Sequence, residues 1–202
     1  MLRTLILLAL LSLLAAPPAR AGEEPIRHRL TASFAASTVD RLTFQASTPG
    51  FAVGYELVPH PWVVAGVAAG WQAPARIDNR GLVYDLSLAE GLVYGGVRLA
   101  LDRLRAPLEG TAGEVANQLL GANELCLGAA VGVTHYMQQV RHERLRQATH
   151  PGAGVFISWN IWFMDWLGLH FRAAFLWSLT EVVPGLPGLL RKEIHLGPTF
   201  RF

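Results

Sequence analysis

The 202-residue sequence is 51% apolar and only 16% charged, with a mean hydropathy of +0.30, whereas typical soluble domains carry about 25% charged residues. Its basic and acidic residues nearly balance, 17 against 15, which excludes the strongly cationic footprint of a nucleic-acid binder. The single cysteine, Cys126, excludes an intramolecular disulfide.

Residues 1–21 have the pattern of an export signal. Arg3 supplies a positive start, Leu5 to Ala16 an apolar run, and Ala19-Arg20-Ala21 the small residues favoured before a cleavage site. The run is too short for a spanning helix, which needs about 20 apolar residues. Cleavage after Ala21 is expected to leave one domain, 22–202. Losing Arg3 and Arg20 lowers the basic count from 17 to 15, equal to the 15 acidic residues.

Eight later segments alternate with the two-residue period of strands: 28–38, 50–58, 62–73, 91–101, 123–137, 152–163, 167–179 and 192–202. The second sets Phe51, Val53, Tyr55 and Leu57 against Gly50, Ala52, Gly54 and Glu56. The fifth sets Leu125, Leu127, Val131 and Val133 against Glu124, Gly128, Gly132 and Thr134. In the sixth, Val155, Ile157, Trp159, Ile161 and Phe163 oppose Ser158 and Asn160. The seventh opposes Leu167, Leu169, Phe171, Ala173, Phe175 and Trp177 to Gly168, His170, Arg172 and Ala174. In the last, Ile194, Leu196, Pro198, Phe200 and Phe202 point one way, and Glu193, His195, Gly197, Thr199 and Arg201 the other. Pro198 lacks a backbone N–H, so a bulge or an earlier strand end is expected there.

Tight joints at 59–61 and 164–166 alternate with longer stretches expected as loops at 39–49, 74–90, 138–151 and 180–191. The long 102–122 connection departs from this alternation, and Glu114 to Leu120 is expected to form a short helix within it.

The polar faces carry mostly Gly, Ala, Ser and Thr, sizes that suit the crowded interior of an eight-stranded barrel. The bulky apolar set is therefore expected to face outward, which only lipid tolerates. Trp62, Trp166, Phe200 and Phe202 are expected at the turn-side interface, and Trp71, Trp159 and Trp177 nearer the loop side. The fold class read from this pattern is all-β: a closed, antiparallel, up-and-down transmembrane barrel of eight strands. A soluble periplasmic barrel with its apolar residues lining a pocket is the structural alternative.

The segment from Ile194 to Phe202, alternating and closing on an aromatic residue, resembles the terminal strand of bacterial outer-membrane proteins. The whole chain resembles small eight-stranded barrels of the OmpA/OmpX type. The resemblance implies Sec-type export to the outer membrane, and a C-terminal signal at Ile194, Leu196, Phe200 and Phe202 read by the barrel-assembly machinery. It further implies a monomer set among outer-membrane lipid and lipopolysaccharide.

Glu56, Arg98, Arg172, Arg201, His170 and His195 form the inward ionisable set. A charge in a narrow barrel must be paired or wetted, so Glu56 is expected to pair with Arg98, Arg172 or Arg201 in a network that fills the lumen. Catalytic residues are not indicated. A His-x-Ser pair on one strand would put both groups on one face, but His135, His170 and His195 are followed two positions later by Met137, Arg172 and Gly197. Arg141, Arg144 and Arg146 lie among His135, His142 and His150. They oppose cation binding and suit the phosphates of lipopolysaccharide. No metal, cofactor or nucleic acid is expected. The leading function is a structural or surface-interaction barrel, with a narrow pore or small-ligand binder and a lipid A-modifying enzyme as alternatives.

Overall fold

The computed structural model describes residues 27–40, 47–79, 82–101, 123–140, 143–180 and 190–202. The expected export signal, 1–21, and the expected 114–120 helix fall outside them. The eight strands are β1 (Arg27–Asp40), β2 (Ser47–His60), β3 (Val63–Asn79), β4 (Leu82–Ala100), β5 (Asn123–Val140), β6 (Glu143–Trp162), β7 (Leu167–Ser178) and β8 (Leu190–Arg201). Each pairs antiparallel with its sequence neighbour, and β8 returns to β1, closing the barrel. Closure removes the free edges that would otherwise leave backbone groups without partners in lipid.

The alternation seen in the sequence sets which side chains face out. Phe34 is 81% exposed and Leu127 64%, with Val131, Ile157 and Phe175 on the same outer surface. Phe171 shares their strand parity and is half-buried. The residues at the alternate positions of the strands, such as Thr31, Glu56, Ser158 and Arg172, are buried. An apolar exterior this continuous is a lipid-facing surface.

Aromatic residues edge this belt. At the turn end, Trp166 stacks on Phe200 with centroids 6.4 Å apart, and His28 on Phe202 at 5.9 Å. At the other end Phe51 meets Trp71 at 5.8 Å. Trp159 belongs to the turn side, contrary to expectation, and donates to Asn123 at 2.6 Å. It lies near Trp162, where β6 ends at the tight turn, and far from the strand's other end at Glu143.

Two stretches expected as loops are largely strand. β3 runs to Asn79 and β4 starts at Leu82; β5 runs to Val140 and β6 starts at Glu143. Polar residues mark these stretches, but strands that rise past the lipid can be polar on both faces and keep their ladders. The result is uneven height. β3 to β6 span 17 to 20 residues, whereas β7 and β8 span 12.

Pro198 introduces no bulge. Its pairing with Leu169 on β7 is in register. On the β1 side, pairing passes from Thr31/Thr199 to Phe34/Leu196 with no register shift and no paired residues between. The missing N–H is thus accommodated by an interrupted ladder on one side.

The interior also differs from the expected filling of small and ionic groups. Leu92, Tyr94, Phe156 and Leu176 are buried inside with Val58, Val64 and Cys126, forming an apolar layer. Tyr94 and Phe156 meet edge to face at 5.3 Å, a favoured aromatic geometry. Trp162 also points inward and is buried. Phe156 and Trp162 share the inward parity of Ser158 and Asn160 on β6, so register rather than polarity decides their side.

Candidate functional site: the charged lumen

Buried charges lie on both sides of this apolar layer. Four arginines (Arg29, Arg98, Arg172, Arg191) and four glutamates (Glu56, Glu90, Glu124, Glu193) are buried among the described residues. Such groups persist in a low-dielectric interior only when opposite charge and hydrogen bonds compensate their lost hydration.

The turn-side cluster centres on Glu124, at the start of β5. Its Oε2 accepts from Arg29 Nη2 and its Oε1 from Arg98 Nη2, each at 2.5 Å. Arg98 Nη1 also donates to the Pro61 carbonyl at 2.8 Å, tying β4 to the β2–β3 turn. Glu56 lies 3.7 Å from Arg29 Nη1 and accepts the Tyr94 hydroxyl at 3.0 Å. Its ionic partner is therefore Arg29, not Arg98, Arg172 or Arg201 as expected. The first and second strands pair Arg29 directly with Glu56, which makes this contact a cross-strand neighbour pair, while the shorter Arg29 bond reaches across the barrel to Glu124.

Arg201, at the mouth, is half-buried. Its guanidinium lies 4.5 Å over the Trp162 ring, and Nε donates to the Asp165 carbonyl at 2.7 Å. Arg29 lies 5.3 Å from the same ring. One indole thus faces two cations, an arrangement its negative ring face favours.

The loop-side cluster centres on Arg191. Its guanidinium donates to Glu90 and to Thr134, the latter at 3.0 Å, and its Nε lies 2.6 Å from Glu193. His195 Nε2 meets Glu193 at 3.2 Å. Gln72 Nε2 donates to Glu193 at 3.5 Å, and Ser37 donates to the Gln72 carbonyl oxygen. Glu90, Glu193 and His195 bring three potential metal-ligand atoms within 4.8 Å of one another. Arg191 already engages both carboxylates, so a metal ion would have to displace a guanidinium.

Arg172 and His170 occupy the middle of β7. Arg172 stands 5.3 Å over the Tyr94 ring, and His170 Nδ1 meets Asn160 Oδ1 at 2.7 Å. The six expected lumen residues are thus distributed among different groups: Glu56 and Arg98 in the turn-side cluster, His195 in the loop-side cluster, Arg172 and His170 between, and Arg201 at the mouth.

Sequence reasoning omitted Arg29, Glu90, Glu124, Arg191 and Glu193. Strand parity carried a signal for Glu124 and Glu193, which share a face with Thr134 and His195. At the outer end, Arg141 and His142 lie outside the described residues, and Arg144 and Arg146 belong to β6. His135 meets Thr149 Oγ1 at 2.9 Å, and buried His150 meets Thr180 Oγ1 at 2.8 Å.

No protein-family model and no curated relative matches the sequence. Solved structures do match. Neisserial surface protein A covers 90% of this chain and 100% of its own, with a TM-score of 0.59 and 11% identity. OprG from Pseudomonas aeruginosa covers 90% and 98%, with a TM-score of 0.54 and 10% identity. Ail, the attachment invasion locus protein of Yersinia pestis, covers 89% and 100% in its complex with the heparin analogue sucrose octasulfate, with a TM-score of 0.52 and 13% identity. At these identities the likeness is one of fold, that of the small eight-stranded outer-membrane barrels.

Proposed function

We propose that this protein is an integral outer-membrane barrel that conducts no solute and acts through its surface. The observation that carries this reading is the layer of Tyr94, Phe156, Leu92 and Leu176 lying between two buried ion-pair clusters. A hydrated ion crossing that layer would shed its water without receiving ligands in return. The cavity beside Leu92, Tyr136 and Leu176 measures about 10 Å³, room for a single water. The experiment is conductance in planar lipid bilayers. Current at background level is expected, and stable unitary channels would reject the reading.

The surface role falls to the outer end, where β3 to β6 rise highest. Arg141 falls between β5 and β6 in the sequence, and Arg144 and Arg146 belong to β6; guanidinium groups can bind phosphate or sulfate oxygens in pairs. Ail in complex with a sulfated sugar gives a precedent for anionic saccharides meeting a barrel of this fold, and lipopolysaccharide phosphates are the proposed partner here. Replacing the three arginines with alanine should weaken retention on immobilised lipopolysaccharide at moderate salt; unchanged retention would remove this part of the proposal.

Export with cleavage near Ala21, recognition of Ile194, Leu196, Phe200 and Phe202 by the assembly machinery, and a monomeric state complete the proposal. Catalysis and bound cofactors have no part in it.

A further inference from the structure

We infer that the turn end of the barrel docks into the inner leaflet, with the tips of the β2–β3 and β6–β7 turns seated among phospholipid headgroups rather than in open water. This goes beyond the proposed role of the outer end and rests on the outer-membrane reading of the fold. The side chains come first. Phe163, Met164 and Trp166 in the β6–β7 turn are 66%, 55% and 54% exposed. In the β2–β3 turn, Trp62 and Val63 are exposed just after Pro59-His60-Pro61. Phe163 keeps the outward parity of Trp159 and Ile161, so this apolar tip continues the lipid-facing belt of β6.

The backbone of the two turns is provided for from within the barrel, and in the same way. Arg98 on β4 donates its backbone N–H to the Trp62 carbonyl and Nη1 to the Pro61 carbonyl, each at 2.8 Å. Arg201 on β8 donates its backbone N–H to the Trp166 carbonyl at 2.9 Å and Nε to the Asp165 carbonyl at 2.7 Å. In each turn, a tryptophan carbonyl and the one before it are taken by an arginine of the next strand. Pro59 and Pro61 have no N–H to satisfy, and Phe163 and Met164 both donate to the Leu167 carbonyl, at 3.0 and 3.1 Å. Water would satisfy such groups in a turn it surrounds; where water is scarce the protein must do so itself.

The height of the belt agrees. On β8 the exposed Lys192 stands at one end of the outward face and Phe202 at the other. Ten residues rising about 3.4 Å each at a tilt of about 40° span about 26 Å, against an apolar band of about 25 Å in such barrels. A cation at the outer headgroups therefore leaves Phe202, and Trp166 stacked on Phe200 beside it, at the inner boundary. Exposed Asp165 and His60 keep the tips at headgroup depth and out of the hydrocarbon. The two turns lie four strands apart in a ring of eight, on opposite sides. The same chemistry on opposite sides suits a lipid surface that surrounds the barrel.

The test places a bimane dye on Met164→Cys, in a Cys126→Ala background, with the folded barrel in phosphatidylcholine nanodiscs. Two quenchers are compared: a nitroxide carried on the choline headgroup and iodide in the water. Strong quenching by the headgroup nitroxide is expected, with an iodide quenching constant several-fold below that of the free dye. An iodide constant equal to that of the free dye would overturn the inference. The same dye on Val131→Cys separates the two readings. If iodide reaches both positions, the membrane reading of the outer face fails as well; if it reaches only position 164, this inference fails alone. A tip open to iodide in nanodiscs but shielded in native outer membranes would assign it to a periplasmic protein and overturn the lipid occupant. Arg201→Met should raise iodide quenching at position 164 several-fold, and Arg201→Lys should restore protection; unchanged quenching in Arg201→Met would remove the arginine's positioning role. Should Arg201→Met fail to fold, the two quenchers on the turn with Arg201 intact decide alone.

Discussion

Tyr94 on β4 reaches over β3 and donates its hydroxyl hydrogen to Glu56 on β2 at 3.0 Å. The phenol crosses where β3 carries Gly66: a Cβ built there would lie 2.7 Å from the Tyr94 ring carbon that bears the hydroxyl. Gly54, on β2, makes room beside the same oxygen. The ring's other contacts are Phe156 at its edge and the Arg172 guanidinium over its face. One side chain thus joins the turn-side charges to the apolar layer.

Tyr94→Phe should keep the packing while depriving a buried carboxylate of a donor. A loss of about 1.5–3 kcal/mol is expected for a hydrogen bond to a charged group. Equilibrium urea unfolding in lipid vesicles, followed by tryptophan fluorescence, measures it.

Glu124→Gln should cost more, because Glu124 bonds two buried arginines at once. Stranding one buried charge costs about 3–5 kcal/mol, and here two guanidinium groups lose their shared partner. The folded fraction on unboiled gels should fall far below that of Tyr94→Phe. Equal stability of the two variants would contradict the central place of Glu124.

Gly66→Ala should displace Tyr94 and crowd the Tyr55 carbonyl, which also lies 2.7 Å from the added carbon. Overpacking of this kind costs about 1–3 kcal/mol. Gly91→Ala is the matched control, since nothing lies within 4 Å of the corresponding position. It should unfold at nearly the wild-type urea concentration.

Val131→Arg tests which side meets lipid. Val131 is 57% exposed on the outer face of β5, and arginine near the bilayer midplane of a barrel costs about 2–4 kcal/mol. Insertion yield into preformed vesicles should drop. An unaffected yield would mean that this face does not contact acyl chains.

How legible all this was in the sequence depended on how local each feature is. The β8 alternation from Ile194 to Phe202 is a property of consecutive residues and identifies its outer face directly. The same parity on β7 identifies Arg172 and His170 as inward. Ion partners are not local: Arg29 and Glu124 are 95 residues apart and face each other from β1 and β5, so closure and stagger of all eight strands decide their meeting. Glu90 was hidden for another reason. It falls in the 74–90 stretch that reads as a loop, whereas β4 starts at Leu82. The apolar layer escaped notice because Phe156 and Trp162 sit among the bulky residues of β6 and differ from them only in register. The heights of β3 to β6 were not legible because polar residues, which usually end strands in a sequence, here continue them.

Pro198 lies on the one join the chain cannot make until its last strand arrives. There the contact between first and last strands skips residues 32–33 and 197–198, while β7 holds the other side of β8 in an unbroken run. The cylinder therefore has an incomplete seam, where the final strand meets the first through a ladder with a gap. One residue without an N–H to donate sets where the closing seam stays unstitched.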